Sequence, residues 1–225
     1  MATIAREAAM PTDTSKSEVI YRPFAEGDFD AVARICARTW ASDVEGVYDR
    51  ITFGRVLTAG SLRRSQFSIV AQRGLKVVGA CFGGFTKDGA IQKDERWEKR
   101  FDELMGPARK RAKIGGPSVE ELLFSRLRMY ATADVFISRG YSNADAELNL
   151  CVVDPSARGN GIGSALLEEA VMRFCEHGCR GFFTMMTKDS DCEFSERMGL
   201  RLIQEKRGIY GDPNAGVIYL YGRRL

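Results

Sequence analysis

The stretch Val152–Leu167, VVDPSARGNGIGSALL, leaves this chain few ways to fold. An apolar strand run stops at Asp154-Pro155, since proline cannot continue a strand ladder. A turn follows, Arg158-Gly159-Asn160-Gly161-Ile162-Gly163. Directly behind it Ile162, Leu166, Ala170 and Phe174 recur every four residues, the spacing of one helix face, and Gly178 can close a helix that reaches His177. Strand, turn and helix must fold as one unit. The first turn of such a helix holds backbone N–H groups without intrahelical acceptors, at the positive end of the helix dipole. Glycines let an oxyanion approach the backbone, and Arg158 adds a fixed positive charge. These residues predict a phosphate or pyrophosphate ligand on the turn. A Walker loop would need Lys-Ser/Thr after the last glycine, where Ser164-Ala165 stand. A dinucleotide loop would need GxGxxG and an acidic residue on the next strand. Here the spacing is GxGxG and the next strand run is Gly181–Thr187.

The remaining composition suits one large α/β domain, or one domain with an insertion. The chain has 225 residues, 44% of them hydrophobic and 28% charged. A net charge of +3 is too small to imply nucleic acid, although a local basic pocket can still hold an anionic cofactor. No run reaches the roughly 18 apolar residues of a membrane helix. The N-terminus has Arg6 but no apolar run behind it, so no signal peptide is expected. The six cysteines, Cys36, Cys81, Cys151, Cys175, Cys179 and Cys192, lie partly in apolar runs, as reduced thiols in a cytoplasm do. Cys175, His177 and Cys179 have a metal-like spacing but no second ligand pair, and His177 is the sole histidine; no metal site is expected.

Residues 1–18 lack periodicity and read as a flexible leader to a domain over 19–225. A short strand from Val19 is closed by Pro23. Asp28 then stands as N-cap to a helix carrying Phe29, Val32, Ala33, Cys36 and Trp40. A second helix is expected over 44–57, ended by Ala59-Gly60. A hairpin follows, Ser65–Ala71 and Lys76–Phe85. Gly79, Gly83 and Gly84 in its return strand imply that something approaches the backbone closely. Residues 86–140 read as a helical insert of two helices. The first bears Trp97, Phe101, Leu104, Met105 and Ala108 and is expected to kink or split at Gly106-Pro107. The second bears Val119, Leu122, Leu123, Leu127 and Tyr130. Ala146–Val153 is a strand whose apolar alternation runs Leu148, Leu150, Val152. A short helix near Asp191–Met198 and strands over 200–210 and 217–221, around the turn 211–214, complete the chain.

Arg158-x-x-Gly161-x-Gly163 after a strand ending in Val-x-Pro resembles the central motif of the GCN5-related N-acetyltransferase (GNAT) superfamily. The element order and the early YRPFAEGDFDAVARI are also similar to that family. The resemblance runs from Val19 to Leu225, apart from the insert. It implies the GNAT (acyl-CoA N-acyltransferase) fold: a mixed, mainly antiparallel central sheet with helices on both faces, here with the helical insert at about 86–140.

For individual residues the resemblance implies the following. The pyrophosphate of acetyl-CoA lies on the amides of Arg158, Gly159, Asn160, Gly161, Ile162 and Gly163. The pantetheine arm runs along Cys151, Val152 and Val153 like an added strand, and an N–H near Val152 or Val153 polarises the thioester carbonyl. The amine attacks directly, so Cys151 serves as a small strand residue rather than a nucleophile. Glu147 matches a position where some members keep a general base acting through water; its other reading is an edge glutamate, or one that merely binds the amine. Many members protonate the leaving thiolate from a tyrosine in Tyr-x-x-x-Gly-Phe, where this chain has Ser195 in Phe194-Ser-Glu-Arg-Met-Gly-Leu200. A serine is a far weaker acid than a phenol near pKa ~10. That leaves Ser195 as a hydrogen-bond or water holder, or Tyr210 as a substitute. The acceptor falls to residues 40–48, where Trp40 and Tyr48, with Asp43 and Glu45, suit a cationic amine, or else make an ordinary helix connection. The insert is either a wall over the acceptor site or a homodimer surface.

The expected activity is thus acetyl transfer from acetyl-CoA to a primary amine of a small molecule in a ternary complex, without metal, nucleic acid or membrane. Two rivals stand beside it. One is a non-catalytic acyl-CoA-binding module of the same fold, motivated by Ser195; the other is a protein or peptide N-acetyltransferase.

Overall fold

The computed structural model describes residues 18–187, 190–207 and 216–225. The alternating and apolar runs form strands β1 (Val19–Pro23), β2 (Phe67–Arg73), β3 (Lys76–Lys87), β4 (Ala90–Ile91), β5 (Ala146–Val153), β6 (Gly181–Met186), β7 (Arg201–Lys206) and β8 (Ile218–Arg224). The helices are α1 (Phe29–Trp40), α2 (Val47–Leu62), α3 (Glu95–Ile114), α4 (Pro117–Ser138), α5 (Ile162–Glu176) and α6 (Cys192–Arg197). The sheet order is β1-β2-β3-β5-β6-β8-β7, with β4 paired to β3. All these pairings are antiparallel except β5 with β6. The turn expected over 211–214 and Tyr210 lie outside the described residues. No helix among the described residues is long and apolar enough to cross a membrane.

Period-two alternation sorts the sheet into two faces. Ile69, Ala71 and Cys81 face α5, where they meet Leu166, Ala170 and Phe174. Val70, Ala80 and Phe82 face the other way, onto Val32, Cys36 and Phe53 of α1 and α2. The three β3 glycines are explained by close approach. A Cβ at Gly79 would stand 3.1 Å from Leu166, one at Gly83 2.3 Å from Phe67, and one at Gly84 1.9 Å from the Arg64 carbonyl.

The insert extends the α1–α2 layer. Trp97 stacks on Phe29 with ring centroids 5.5 Å apart, and Phe101 meets Tyr130 edge-on at 6.3 Å. Ala133, Phe136 and Ile137 of α4 cover Phe183 of β6 and Leu220 of β8. Several local expectations are corrected here. α3 runs unbroken through Pro107, because Gly106 and Pro107 lie on its exposed side while Phe101, Met105, Ala108 and Ala112 stay buried along one stripe. The N–H that proline lacks therefore costs a bond only where water can replace it. α2 continues past Ala59-Gly60 to Leu62. Gly60 does not end the helix; it makes room, since a Cβ there would stand 2.4 Å from the Tyr130 hydroxyl. Asp28 precedes α1 but does not cap it. Its carboxylate accepts from Arg22 at 2.7 and 2.9 Å and from the Ala25 N–H at 2.8 Å.

Where α2 ends, Arg64 is wholly buried. Its Nε and Nη2 donate to Glu147 Oε2 at 3.0 and 2.7 Å, and Nη1 donates to Asp134 Oδ1 of α4 at 2.7 Å. One guanidinium thereby joins α2, β5 and the insert. Removing one member of a buried pair leaves an uncompensated charge, at a cost of about 3–5 kcal/mol. Arg64→Ala is accordingly expected to lower the unfolding free energy by about 3–5 kcal/mol in urea titration.

Acid should act first on the paired surface-proximal aspartates. The Arg22 hydrogen bond holds the Asp28 carboxyl below its ordinary value, and Arg111 does the same for Asp49. A depressed folded pKa means that the stabilisation is present above the unfolded value and is lost as pH falls through the folded one. The urea midpoint should therefore decline once pH drops below about 4, and less steeply in Asp28→Asn.

Candidate active site

Asn149 is an extra residue in β5. Phe82 pairs with Leu150 and Gly83 with Leu148, which leaves Asn149 unmatched. Such a bulge reverses the facing of everything beyond it. Leu148 packs on the α5 side while Leu150 and Val152 pack on the α1 side. The uninterrupted alternation expected through Leu148, Leu150 and Val152 is therefore corrected. The end of α2 clamps the bulge. Asn149 Nδ2 donates to the Arg64 carbonyl at 2.8 Å and to Ser65 Oγ at 3.1 Å, and Ser61 Oγ donates to the Asn149 carbonyl at 3.3 Å.

Beyond the bulge the two parallel strands separate. β5 and β6 pair only at Ala146–Phe182 and Glu147–Phe183. A last link is Thr184 Oγ1 donating to the Leu148 carbonyl at 2.9 Å. From Leu150 to Val153, β5 is paired to β3 on one side and, among the described residues, to no strand on the other. The gap is a cleft. Its inner part lies between Leu148–Cys151 and Thr184–Met186, under Trp40, Arg126 and Ser195. Its outer part, about 360 Å³, runs along Cys151–Val153 to the glycine turn.

The turn is built as an open cradle. Gly159 and Gly161 have φ of 78° and 75°, and a Cβ at either would meet nothing within 4 Å. Gly161 is the N-cap of α5, so the free N–H groups of the first helical turn face the cleft mouth. Gly163 lies against Phe194, 3.4 Å from where its Cβ would stand. Arg158 lies across the mouth, with Nε on the Val153 carbonyl and Nη2 on Thr39 Oγ1, both at 3.3 Å. Arg158, Gly159, Gly161, Ile162 and Gly163 line the cleft. Asn160 instead braces the turn, its Nδ2 donating to the carbonyls of Ala157 and Arg158 at 3.0 and 3.1 Å. Asp154 anchors the strand end, accepting from Ser156 and paired with Arg38.

The other expected residues are placed as follows. Trp40 lines both parts of the cleft. Tyr48 does not: it is exposed, beneath the Arg111 guanidinium at 5.6 Å, because α2 begins at Val47 and carries it outward. Glu147 is buried beside Arg64 and reaches only a small chamber behind the cleft, shared with Tyr130 and Asn149. Burial pushes its carboxyl above the ordinary range and Arg64 pulls it back, with a net upward shift. Ser195 lines the inner cleft, buried, with Oγ donating to the Asp191 carbonyl at 3.3 Å. No tyrosine lines the cleft among the described residues. Tyr221 is held under α6, its hydroxyl donating to Glu196 at 3.2 Å, and burial beside Cys192 pushes it up to about 12. His177 stacks on Phe85 with ring centroids 3.7 Å apart, and no metal-binding group of three side chains exists among the described residues.

The Acetyltransferase (GNAT) family model matches residues 126–200, the segment that holds the bulge, the turn, α5 and α6. The fold aligns with agmatine N-acetyltransferase at TM-score 0.53 and 17% identity, over 92% of this chain and 99% of that one. It aligns with PaiA N-acetyltransferase from Thermoplasma acidophilum, solved with coenzyme A, at 0.53 and 11%, again over 92% and 99%. Mosquito arylalkylamine N-acetyltransferase like 5b gives 0.50 and 17%, over 92% and 100%. Residues 126–200 thus match the GNAT family model, and the chain has the fold of these acetyltransferases. No curated protein sequence matches it.

Within that GNAT frame one cleft residue was missed by the sequence reading. Arg126 reaches the inner cleft from α4, its guanidinium over the Trp40 ring at 5.0 Å from the centroid. A signal was present: Arg126 follows Leu123 by three residues and precedes Tyr130 by four, so a charge sits on an apolar helix face.

Proposed function

We propose that the protein transfers an acetyl group from acetyl-CoA to the primary amine of a small molecule, by direct attack in a ternary complex. One observation carries the reading: a strand edge left unpaired by the bulge runs straight into an open glycine cradle at a helix N-terminus. The two halves of an acyl-CoA differ in kind, and so do these two surfaces. The free edge of Cys151–Val153 suits an amide-bearing arm, as in strand addition. The cradle, with Arg158, suits a pyrophosphate. Names of similar folds, the agmatine and arylalkylamine N-acetyltransferases, agree with a small amine as acceptor.

Acetyl-CoA supplies a thioester acyl group that an amine can take without a covalent enzyme intermediate. The chain's own part is to bind and orient. Gly159–Ser164 amides and Arg158 hold the phosphates, and backbone N–H groups of the β5 edge hold the acyl carbonyl. Trp40 and Leu148–Cys151 wall the acceptor away from water. Glu147 is read here as a structural partner of Arg64 rather than the base, because both donors nearest its carboxylate belong to that guanidinium. Ser195 can hold the leaving sulfur by a hydrogen bond but is a poor proton donor. With a thiol pKa near ~8.5 the thiolate can leave unaided, so a slow enzyme follows rather than a dead one. The orientation of Ser195 toward the Asp191 carbonyl also favours a second reading, a non-catalytic acyl-CoA-binding module.

Calorimetric titration with acetyl-CoA, with ATP and NAD as controls, tests the cradle. Selective binding is expected, and Gly161→Asp should abolish it in a folded protein by setting a carboxylate against the phosphates. Unchanged affinity in that variant would sink the assignment. Release of free CoA thiol with a panel of small amines separates transferase from binding module. For Glu147→Gln the pH–rate profile should keep its shape while the urea midpoint drops; loss of the acidic limb would instead restore Glu147 as the base.

A further inference from the structure

We propose that Cys151 and Cys81 are a dithiol pair: Cys151 takes up a small-molecule disulfide that enters the cleft, and Cys81 resolves the mixed disulfide by closing a cross-strand bond. This chemistry lies outside acetyl transfer, in which Cys151 is no nucleophile. Both are free thiols, Cys81 wholly buried on β3 and Cys151 half-buried on β5. They stand directly opposite each other in the antiparallel ladder, on the cleft side of the bulge. Cys151 lines both parts of the cleft, and Cys81 lines neither.

The ladder decides how close the two side chains lie. Hydrogen-bonded and non-hydrogen-bonded pairs alternate along antiparallel strands, and opposed side chains are nearer in the second kind. One step beyond Gly79–Val153, the Asp154 N–H donates to the Val78 carbonyl at 2.8 Å, so that pair is bonded. Counting back through Gly79–Val153 and Ala80–Val152 makes Cys81–Cys151 a non-bonded pair. Val153, two residues on from Cys151, agrees: its carbonyl turns away from β3 and accepts from Arg158 Nε at 3.3 Å. Cα atoms of a non-bonded pair lie about 4.5 Å apart, inside the span of roughly 4.4–6.8 Å that disulfides bridge. Both cysteines pack on the α5 face of the sheet, with Ile69 and Leu166. A bond between them therefore needs little movement of either strand.

Access and acidity set the order of events. The Cys151 thiol beside it, together with burial, holds the Cys81 thiol well above its ordinary value, so Cys81 does not start the reaction. Cys151, at the cleft, does. With glutathione disulfide as the oxidant, the Cys151 thiolate attacks one of its sulfurs. A Cys151–glutathione disulfide forms, and one glutathione leaves as thiolate and takes the proton that Cys151 gave up. Cys81 then loses its proton and attacks the Cys151 sulfur. The Cys81–Cys151 bond forms and the second glutathione leaves as the thiol. Two protein thiols are oxidised, and one disulfide is reduced to two thiols. The adduct at Cys151 fills the edge that takes the pantetheine arm, and the internal bond clears it. That last consequence rests on the transferase reading; the dithiol pair does not.

The test is non-reducing peptide mapping of the full chain after incubation with glutathione disulfide. Trypsin places the two cysteines in separate peptides, 77–87 and 140–158, each with a single cysteine. In the wild-type protein these two should appear joined, with the glutathione adduct on 140–158 a minor species. In Cys81→Ala that adduct should accumulate, to about 10-fold above the wild-type level. Cys81→Ser, close to cysteine in size, repeats this arm should Cys81→Ala fail to fold. Acetyl-CoA affinity, read by calorimetry, should fall about 10-fold in the adducted variant, return with dithiothreitol, and stay within about threefold in the joined wild-type protein. Saturating acetyl-CoA should slow formation of the joined peptide about 10-fold by covering Cys151. Wild-type Cys151 held as the adduct, no joined peptide, or no adduct in Cys81→Ala would overturn the pair. An unchanged rate in protein saturated with acetyl-CoA would overturn entry through the cleft. Equal loss of affinity in the joined and adducted forms would overturn the clearing role. If acetyl-CoA does not bind, the transferase reading falls by itself, and the joined peptide still decides the pair.

Discussion

The extra residue at Asn149 is the constraint on which the cleft depends. Two parallel strands in register would zip together along their length and leave no room between them. One unmatched residue turns β5 away from β6 after two paired positions. A bulge is locally costly because it interrupts a ladder, so it needs support from elsewhere. That support is the end of α2. Its Ser61–Ser65 segment binds Asn149 through two acceptors and a hydroxyl, and through Arg64 it holds the neighbouring Glu147. The buried ion pair is best understood in this setting. A buried pair is weak evidence for net stability. Its value here is positional, since its hydrogen bonds tie a helix end to the residue two before the bulge.

The second consequence of the architecture is that the insert is not an ornament on the domain. α4 covers Phe183 and Leu220 on one half of the sheet, and its Asp134 completes the shell of Arg64. From the same helix comes Arg126, which borders the inner cleft. Burial, clamp and cleft chemistry therefore share a single element. A change in how α4 packs would be felt in the bulge and in the cleft together.

At the other end of the cleft the chemistry is almost entirely backbone. Two left-handed glycines turn the chain so that α5 begins with its N–H groups toward the mouth, and neither glycine sets a side chain in front of them. Asn160 spends its side chain on the turn itself. This explains why the turn was so legible. A glycine at positive φ, a proline that stops a strand and an amphipathic run after them are local statements, and local residues determine them.

The sequence by itself determined the anion cradle, the strand and helix that flank it, the mixed sheet with helices on both faces, and the resemblance to the GNAT superfamily. The cradle and its flanking strand and helix follow from periodicity or torsional preference within about 15 residues of chain, and the sheet architecture is what the resemblance implied. Only the tertiary structure decided the bulge, because Asn149 looks like any polar strand residue until its partners Phe82 and Gly83 are known. The continuity of α3 through Pro107 was likewise decided by which side of the helix faces water. Glu147 and Arg64 are 83 residues apart, and no local pattern could show that one neutralises the other. The same holds for Arg126 over Trp40, and for Tyr48, which the start of α2 carries out of the cleft. The physical reason is common to these cases. A side chain's charge state and accessibility depend on what packs against it, and packing joins segments that are distant in the chain.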